Sequence, residues 1–356
     1  MEQWYIKARM RSLSDEETKN VKKRLKSINN GYDGSASEFK QTVLPYWKPF
    51  GRRPKKYWYD LYCSGLDHYD PRYVPDTFWY NDILPYFNYI AINKAYRDKG
   101  MYSRILADVK KPETVVKNIA GYYFNGDGDQ PISPEEAARI CREEEHLIVK
   151  PSVNSGSGRS ITFYDRDLPE SEKIEDIFSR FKYNFVVQRL VKQHPGLAAI
   201  NERSLNTIRV MSFYYRGEVH ILSTILRMGG VGARVDNISA GGISCVIRPD
   251  GRLADKAVTR KSVWTDEHPS GIKFRDITVP SFDRIIDTVK RLHPTLPYFG
   301  IIGWDYAVDE SGDPVFIEFN TMPEPNQISC GPTFGDLTDD VLKDVYIEKS
   351  RKNAFY

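Results

Sequence analysis

The alternation of apolar and polar positions divides the chain into an irregular first quarter and a remainder of strands and helices. From about residue 96, short apolar runs at His146–Lys150, Ser160–Tyr164 and Phe185–Leu190 predict three strands. Between them, Pro134 to Ile140 predicts a helix, with Ser133 placed as its cap and Pro134 in its first turn. Thr207–Tyr215 and Val219–Arg227 predict a hairpin across Arg216-Gly217, and Ile285–Leu292 a helix. Ile301–Val308 and Val315–Phe319 predict a second hairpin, turning through Asp309–Asp313. Upstream, Ser14-Asp15-Glu16-Glu17 ahead of Val21 and Leu25 predicts a helix start with an acidic first turn. Hairpins with helices set between them predict an α+β fold of antiparallel lobes rather than a doubly wound parallel sheet. No internal repeat and no low-complexity tract stands out.

Composition narrows the classes. A chain of 356 residues is long enough for two or three packed subdomains. Its net charge of +3 leaves no domain-wide basic excess, so a general nucleic-acid binder is not expected. Cys63, Cys141, Cys245 and Cys330 are far apart and the histidines are scattered, so neither a zinc site nor a disulfide framework is expected. Without an apolar leader or a run of roughly 20 apolar residues, the expectation is a soluble, cytoplasmic protein with no membrane insertion. Aromatics crowd Tyr46 to Tyr89 beside Arg52, Arg53, Lys55 and Lys56. Such rings can stack on bases or sugars, or fill the core of a Pro-rich cap, the commoner use.

Three constellations carry chemistry. In Lys150-Pro151-Ser152-Val153-Asn154-Ser155-Gly156-Ser157-Gly158 a lysine ends a strand and a small, flexible loop follows. Backbone N–H groups of such a loop can close on phosphate oxygens, with the lysine as a point charge. No G-K-[ST] opens a helix here, so it is not a P-loop, and an ordinary hairpin turn is the plain alternative. Asp305 and, on the facing strand, Glu318 and Asn320 place three oxygen donors together, since alternate strand residues share a face. That is a hard-cation set suited to Mg²⁺. Their neighbours Ile301, Ile302, Val315, Phe316, Ile317 and Phe319 argue that the hairpin is buried, where unpartnered carboxylates are costly. Between Arg227 and Gly242, five glycines and two arginines form a loop that suits an anion approached closely by backbone, or a mobile surface connection.

Taken in order, these pieces resemble the ATP-grasp superfamily, and within it the sugar-transfer-associated subgroup, over residues 44 to 345. Asp98-Lys99 with Tyr102 and Leu106, Lys150-Pro151-Ser152, Gln188-Arg189-Leu190, Asn206-Thr207-Ile208-Arg209 and the Arg227–Gly242 loop carry the likeness. Gln188 stands where a glutamate is usual. The resemblance implies two α+β lobes holding ATP between them, with an N-terminal helical and irregular segment: residues 1–95, a first lobe 96–190 and a second 191–356. It implies ATP at Lys99, Lys150, Ser152, Gly156, Gly158, Gln188 and Leu190, Mg²⁺ at Asp305, Glu318 and Asn320, and the reacting acid at Arg227, Arg209 and Asn237. The activity implied is a carboxylate–amine ligase working through an acyl phosphate. Its substrates would be small or glycan-linked acids and amines of cell-surface polysaccharide assembly, alongside glycosyltransferases. Two alternatives stay open: an ATP-grasp kinase acting on a sugar-like hydroxyl with Asp236 as base, and a non-catalytic nucleotide- or glycan-binding protein.

Overall fold

A computed structural model describes residues 2–28, 34–126, 128, 130–153, 161–234, 236 and 242–349. The strands are β1 (Thr114–Ile119), β2 (Tyr122–Asn125), β3 (Gln130–Ile132), β4 (His146–Pro151), β5 (Thr162–Asp165), β6 (Phe185–Arg189) and β7 (Thr207–Tyr215). They continue with β8 (Glu218–Met228), β9 (Ile243–Ile247), β10 (Leu253–Thr259), β11 (Trp264–Thr265), β12 (Ile301–Val308) and β13 (Pro314–Asn320). Two compact units divide the chain: Met1–Ala91 with Gly196–Trp304 and Asn320–Tyr356, and Ile92–Pro195 with Asp305–Phe319. The fold is α+β, with two sheets and helices among them.

The Ile92–Pro195 segment carries a six-stranded antiparallel sheet in the order β3-β2-β1-β6-β4-β5. The helices Pro134–Glu143 and Ile174–Phe181 cover one face. Ser133 caps the first, its Oγ accepting from the Glu136 N–H at 3.1 Å. Leu147, Val149, Phe185 and Val187 pack with Ala137, Ile177 and Phe178 in the core of this face. The strand pleat therefore turns Ile148, Lys150, Val186 and Gln188 to the opposite face. An apolar core on one side thus positions a lysine and a glutamine on the other.

The second sheet has seven strands in the order β11-β10-β9-β8-β7-β12-β13. The β7–β8 hairpin pairs Tyr215 with Glu218 and turns on Arg216 and Gly217. Both turn residues have positive φ, 50° and 87°, the backbone that a two-residue hairpin needs to match strand twist. The β12–β13 connection closes with Asp309 N–H on the Asp313 carbonyl at 3.0 Å and with Gly312 at φ 84°.

The first quarter of the chain departs from its sequence reading twice. Helix Glu2–Arg24 runs through Ser14, which is buried in mid-helix and whose carbonyl accepts from Thr18 Oγ1 at 2.9 Å. The helix does not start at Ser14, because Ile6, Met10 and Leu13 form an apolar stripe packed with Ile90 and carry it upstream. There is also a repeat. Phe39–Val43 and Trp79–Ile83 are both wide π-turns, and each leads into a helical turn opening Leu-Pro-Tyr, at Leu44–Trp47 and Leu84–Phe87. Pro45 and Pro85 have no N–H to donate, and a widened turn ahead of each accommodates that gap.

The aromatic stretch is core. Trp47, Trp58, Tyr59, Tyr62, Trp79 and Phe87 are at most 3% exposed and belong to one cluster with Phe213, Ile301 and Val341. Several of their polar atoms are satisfied internally: Trp47 Nε1 donates to the Tyr59 hydroxyl at 2.6 Å, and Trp79 Nε1 to the Pro323 carbonyl at 2.8 Å. Arg52 pairs with Asp82 and lies over the Tyr346 ring. No described helix is long and apolar enough to cross a membrane.

Candidate functional site

In the unit that holds the six-stranded sheet, two lysines meet one carboxylate. Lys99 opens a short 3₁₀ turn, Lys99–Met101, which Asp98 caps by accepting from the Gly100 N–H at 2.9 Å. The Lys99 N–H donates to the Ser152 carbonyl at 3.0 Å, and the Ser152 N–H to the Asn184 carbonyl at 2.8 Å. These bonds tie the Asp-Lys turn to the end of β4. Lys99 Nζ lies 2.7 Å from Glu318 Oε2 on β13. Lys150, on β4, is 9% exposed. Burial pushes its pKa down to about 8, Lys99 adds to the effect, and Glu318 opposes it. A buried ammonium with a second ammonium for a neighbour is an environment that favours an arriving anion.

Beside this group lies a small cleft lined by Lys99, Tyr102, Ser103, Thr114, Gln188 and Phe316 among others. Tyr102 is buried and stacks on Phe319 at 5.5 Å, which makes one wall rigid. Gln188 Nε2 donates to Thr114 Oγ1 at 3.3 Å, across the β1–β6 register. Gln188 Oε1 and Ser103 Oγ are buried with no partner among the described residues, and so is Ser152 Oγ at the foot of the loop. Each such atom costs about 1–3 kcal/mol while unpaired. Unmet polar atoms beside buried lysines fit a ligand with both a polyphosphate and hydrogen-bonding edges.

Asp305 on β12 is 3% exposed. Asp305 and Glu318 belong to this unit and offer carboxylate oxygens, the donor type a hard divalent cation takes; Asn320 belongs to the other unit. Among the described residues, no group of three or more His, Cys, Asp or Glu could hold a metal.

In the other unit, Arg227 ends β8 one residue before Met228, opposite Thr207 on β7. Its guanidinium lies 3.6 Å from Asp236, which also accepts from Thr207 Oγ1. Arg209 stands two residues along β7 from Thr207, on the same face. Gly303 makes room there: a Cβ at Gly303 would lie 2.9 Å from Pro323 Cβ and 3.5 Å from Arg209 Cδ.

The structure thus brings Lys99, Lys150 and Glu318 together, and Gln188 with Lys99 at the cleft. It groups Arg227, Asp236 and Thr207 separately, with Arg209 on their face. Leu190, past the end of β6, is 38% exposed. Gly156, Gly158 and Asn237 lie outside the described residues. Thr114 and Ser103, which line the cleft, carry no signal in sequence: a single Thr or Ser inside an apolar run looks like any other.

A family model described as sugar-transfer associated ATP-grasp matches residues 85–333, well over half of the chain. Comparison with curated proteins gives no match. Among solved structures, the ATP-grasp ligase PsnB complexed with minimal precursor is 14% identical, with 70% of this chain and 60% of that chain covered and a TM-score of 0.38. The VanG D-Ala:D-Ser ligase from Enterococcus faecalis is 16% identical, with 76% and 64% covered and a TM-score of 0.41. The D-alanyl-alanine synthetase A from Vibrio cholerae is 11% identical, with 72% and 66% covered and a TM-score of 0.40. The chain spans 60% of the length of the first of these. The chain belongs to the sugar-transfer associated ATP-grasp family.

Proposed function

We propose that the protein is an ATP- and Mg²⁺-dependent carboxylate–amine ligase that forms an amide through an acyl phosphate. The observation that carries the reading is the pair of buried lysines around one carboxylate, beside a cleft with unpartnered polar atoms. Lys99 and Lys150 bind phosphate oxygens as point charges, and Ser152 Oγ donates to another. Gln188 Oε1 accepts from the exocyclic amine of the adenine, and Leu190 offers its backbone. Asp305, Glu318 and Asn320 would hold Mg²⁺, which supplies charge neutralisation on the phosphates.

A substrate carboxylate oxygen attacks the γ-phosphorus, ADP leaves, and an acyl phosphate forms. Arg227 and Arg209 hold the acid, because a planar guanidinium pairs with a carboxylate in two places. The amine then displaces phosphate and loses a proton to give the amide. No protein nucleophile is needed, so the chain's work is to position and to neutralise charge. In this proposal residues 96–190 carry the nucleotide lysines, 191–356 the acid and metal residues, and 1–95 a cap. The acid and amine belong to cell-surface polysaccharide or other sugar-conjugate assembly in the cytoplasm.

The arrangement at Asp236 favours ligation over phosphorylation of a hydroxyl. A general base must be open to take a proton. Asp236 already accepts from Thr207 and faces Arg227 at 3.6 Å. The test is ADP release from Mg-ATP across a panel of uronic acids and amino acids, with hydroxylamine as trap. Hydroxamate formed with one acid supports the ligase. A stable phosphate ester formed without hydroxamate sinks it.

A further inference from the structure

The glycine-rich stretch between β8 and β9 is braced at its entry by two buried side chains that the proposed chemistry does not use. Asn201 is 6% exposed and His268 is fully buried. Asn201 Nδ2 faces three carbonyls of one tight turn: Gly229 at 3.4 Å, Gly230 at 2.9 Å and Ala233 at 3.1 Å. It also reaches Ser204 Oγ at 3.0 Å, while Asn201 Oδ1 accepts from the Arg203 N–H at 3.2 Å. The turn itself closes with the Ala233 N–H on the Gly230 carbonyl at 3.0 Å and has Gly232 at φ 76°.

His268 grips the same turn from the other side. Its Nδ1 accepts from the Ser270 N–H at 3.2 Å, so the ring proton belongs on Nε2, which donates to the Gly229 carbonyl at 3.0 Å. The imidazole is itself held in place, with the His268 N–H on the Ile272 carbonyl at 2.8 Å and the Gly271 N–H on the His268 carbonyl at 2.8 Å. Five residues of glycine-rich backbone would otherwise sample many conformations. Two buried donors limit that freedom, and buried amide and imidazole groups are costly to misplace.

We infer that Asn201 and His268 are positioning residues for the acid substrate. They fix the turn Gly229–Ala233, and through it hold Asp236 against Arg227 and Thr207, so that the Arg227 guanidinium points one way when the substrate arrives. This rests on the ligase reading for the identity of the ligand at Arg227, but not for the brace itself. Neither residue touches the reacting atoms. Their effect is expected on the acid and not on the nucleotide, whose proposed lysines lie in the other unit.

The experiment uses Asn201→Asp, Asn201→Gln and His268→Gln in the full-length protein. Asn201→Asp keeps the size but turns an acceptor toward three carbonyls, whereas His268→Gln keeps an N–H donor near Gly229. Four quantities are read: KM for the acid, kcat, Kd for Mg-ADP by calorimetry, and amide hydrogen exchange over residues 229–234. The expected result for Asn201→Asp is a rise of about tenfold or more in KM for the acid, the size of one lost charged or multiple hydrogen bond. Exchange over 229–234 should quicken, and Kd for Mg-ADP should stay within about twofold. His268→Gln should keep most of the wild-type behaviour. If Asn201→Asp quickens exchange but leaves both KM for the acid and kcat unchanged, the inference fails. It fails equally if exchange is unaltered, or if Mg-ADP binding weakens in step with the acid. If wild-type protein gives no hydroxamate with any acid, the ligase reading falls instead, and exchange over 229–234 still decides whether the brace exists.

Discussion

Lys150→Met should make the ligand-free protein more stable while abolishing nucleotide binding. The wild-type ammonium is buried beside Lys99, and its pKa lies at about 8 instead of the ordinary 10.5. At about 1.4 kcal/mol per tenfold change in the equilibrium, keeping that proton at pH 7 costs about 3 kcal/mol relative to an unperturbed lysine. Methionine retains the apolar stem and drops the charge, and Glu318 keeps its 2.7 Å partner in Lys99. A gain of about 1–3 kcal/mol follows, or several degrees in Tm. The pH dependence has a definite sign. The unfolded chain holds this proton up to about 10.5 and the folded chain only to about 8, so wild-type stability rises with pH between those values. The advantage of the variant should therefore be full below pH 8 and shrink toward pH 10.5. Thermal melting at pH 7 and pH 10 reads the first effect, and the shift in Tm on adding Mg-ADP reads the second. A Lys150→Met protein that melts lower than wild type at pH 7, or still binds Mg-ADP at wild-type strength, would show that the buried ammonium neither costs stability nor holds the nucleotide.

Two further substitutions probe other parts of the account. Glu17 has its pKa raised to about 8, by burial first and then by Glu324 and Asp76. The folded chain thus keeps a proton that the unfolded chain loses near 4.5, and the associated stability drains as pH climbs toward 8. Glu17→Gln should raise Tm at pH 9 and leave it nearly unchanged at pH 4, which melting at the two values checks. Gly303→Ala places a Cβ 2.9 Å from Pro323 Cβ and against Arg209. It should cost about 1–3 kcal/mol in denaturant unfolding and raise KM for the acid. An unchanged midpoint would show that Pro323 yields freely.

Much of the fold, and the placing of some candidate residues, could be read from the chain because they depend on local pattern. The Arg216-Gly217 turn needs two positive φ angles and declares itself in two residues. Ser133 before Pro134-Glu135-Glu136 declares a helix start in four. Lys150 and Glu318 stood out because charged residues ending apolar strands are unusual. What the sequence hid was set by distant partners. Ser14 has the chemistry of a cap, but Ile6 and Met10 find Ile90 across the fold and extend the helix past it. The pattern around Leu44-Pro45-Tyr46 recurs at Leu84-Pro85-Tyr86 with changed aromatics, and only the shared π-turn makes it plain. Asn201 and His268 serve a turn 29 and 39 residues away, through hydrogen bonds that no spacing announces.

In the proposed reaction a carboxylate is activated by phosphoryl transfer at the Lys99–Lys150–Glu318 group. Its most direct test is positional ¹⁸O transfer with purified protein, Mg-ATP, an amine and an acid labelled in its carboxylate. Activation through an acyl phosphate moves one labelled oxygen from the acid into inorganic phosphate, and Lys150→Met abolishes the transfer. Amide formed with unlabelled phosphate, or label transfer that persists in Lys150→Met, would contradict the account.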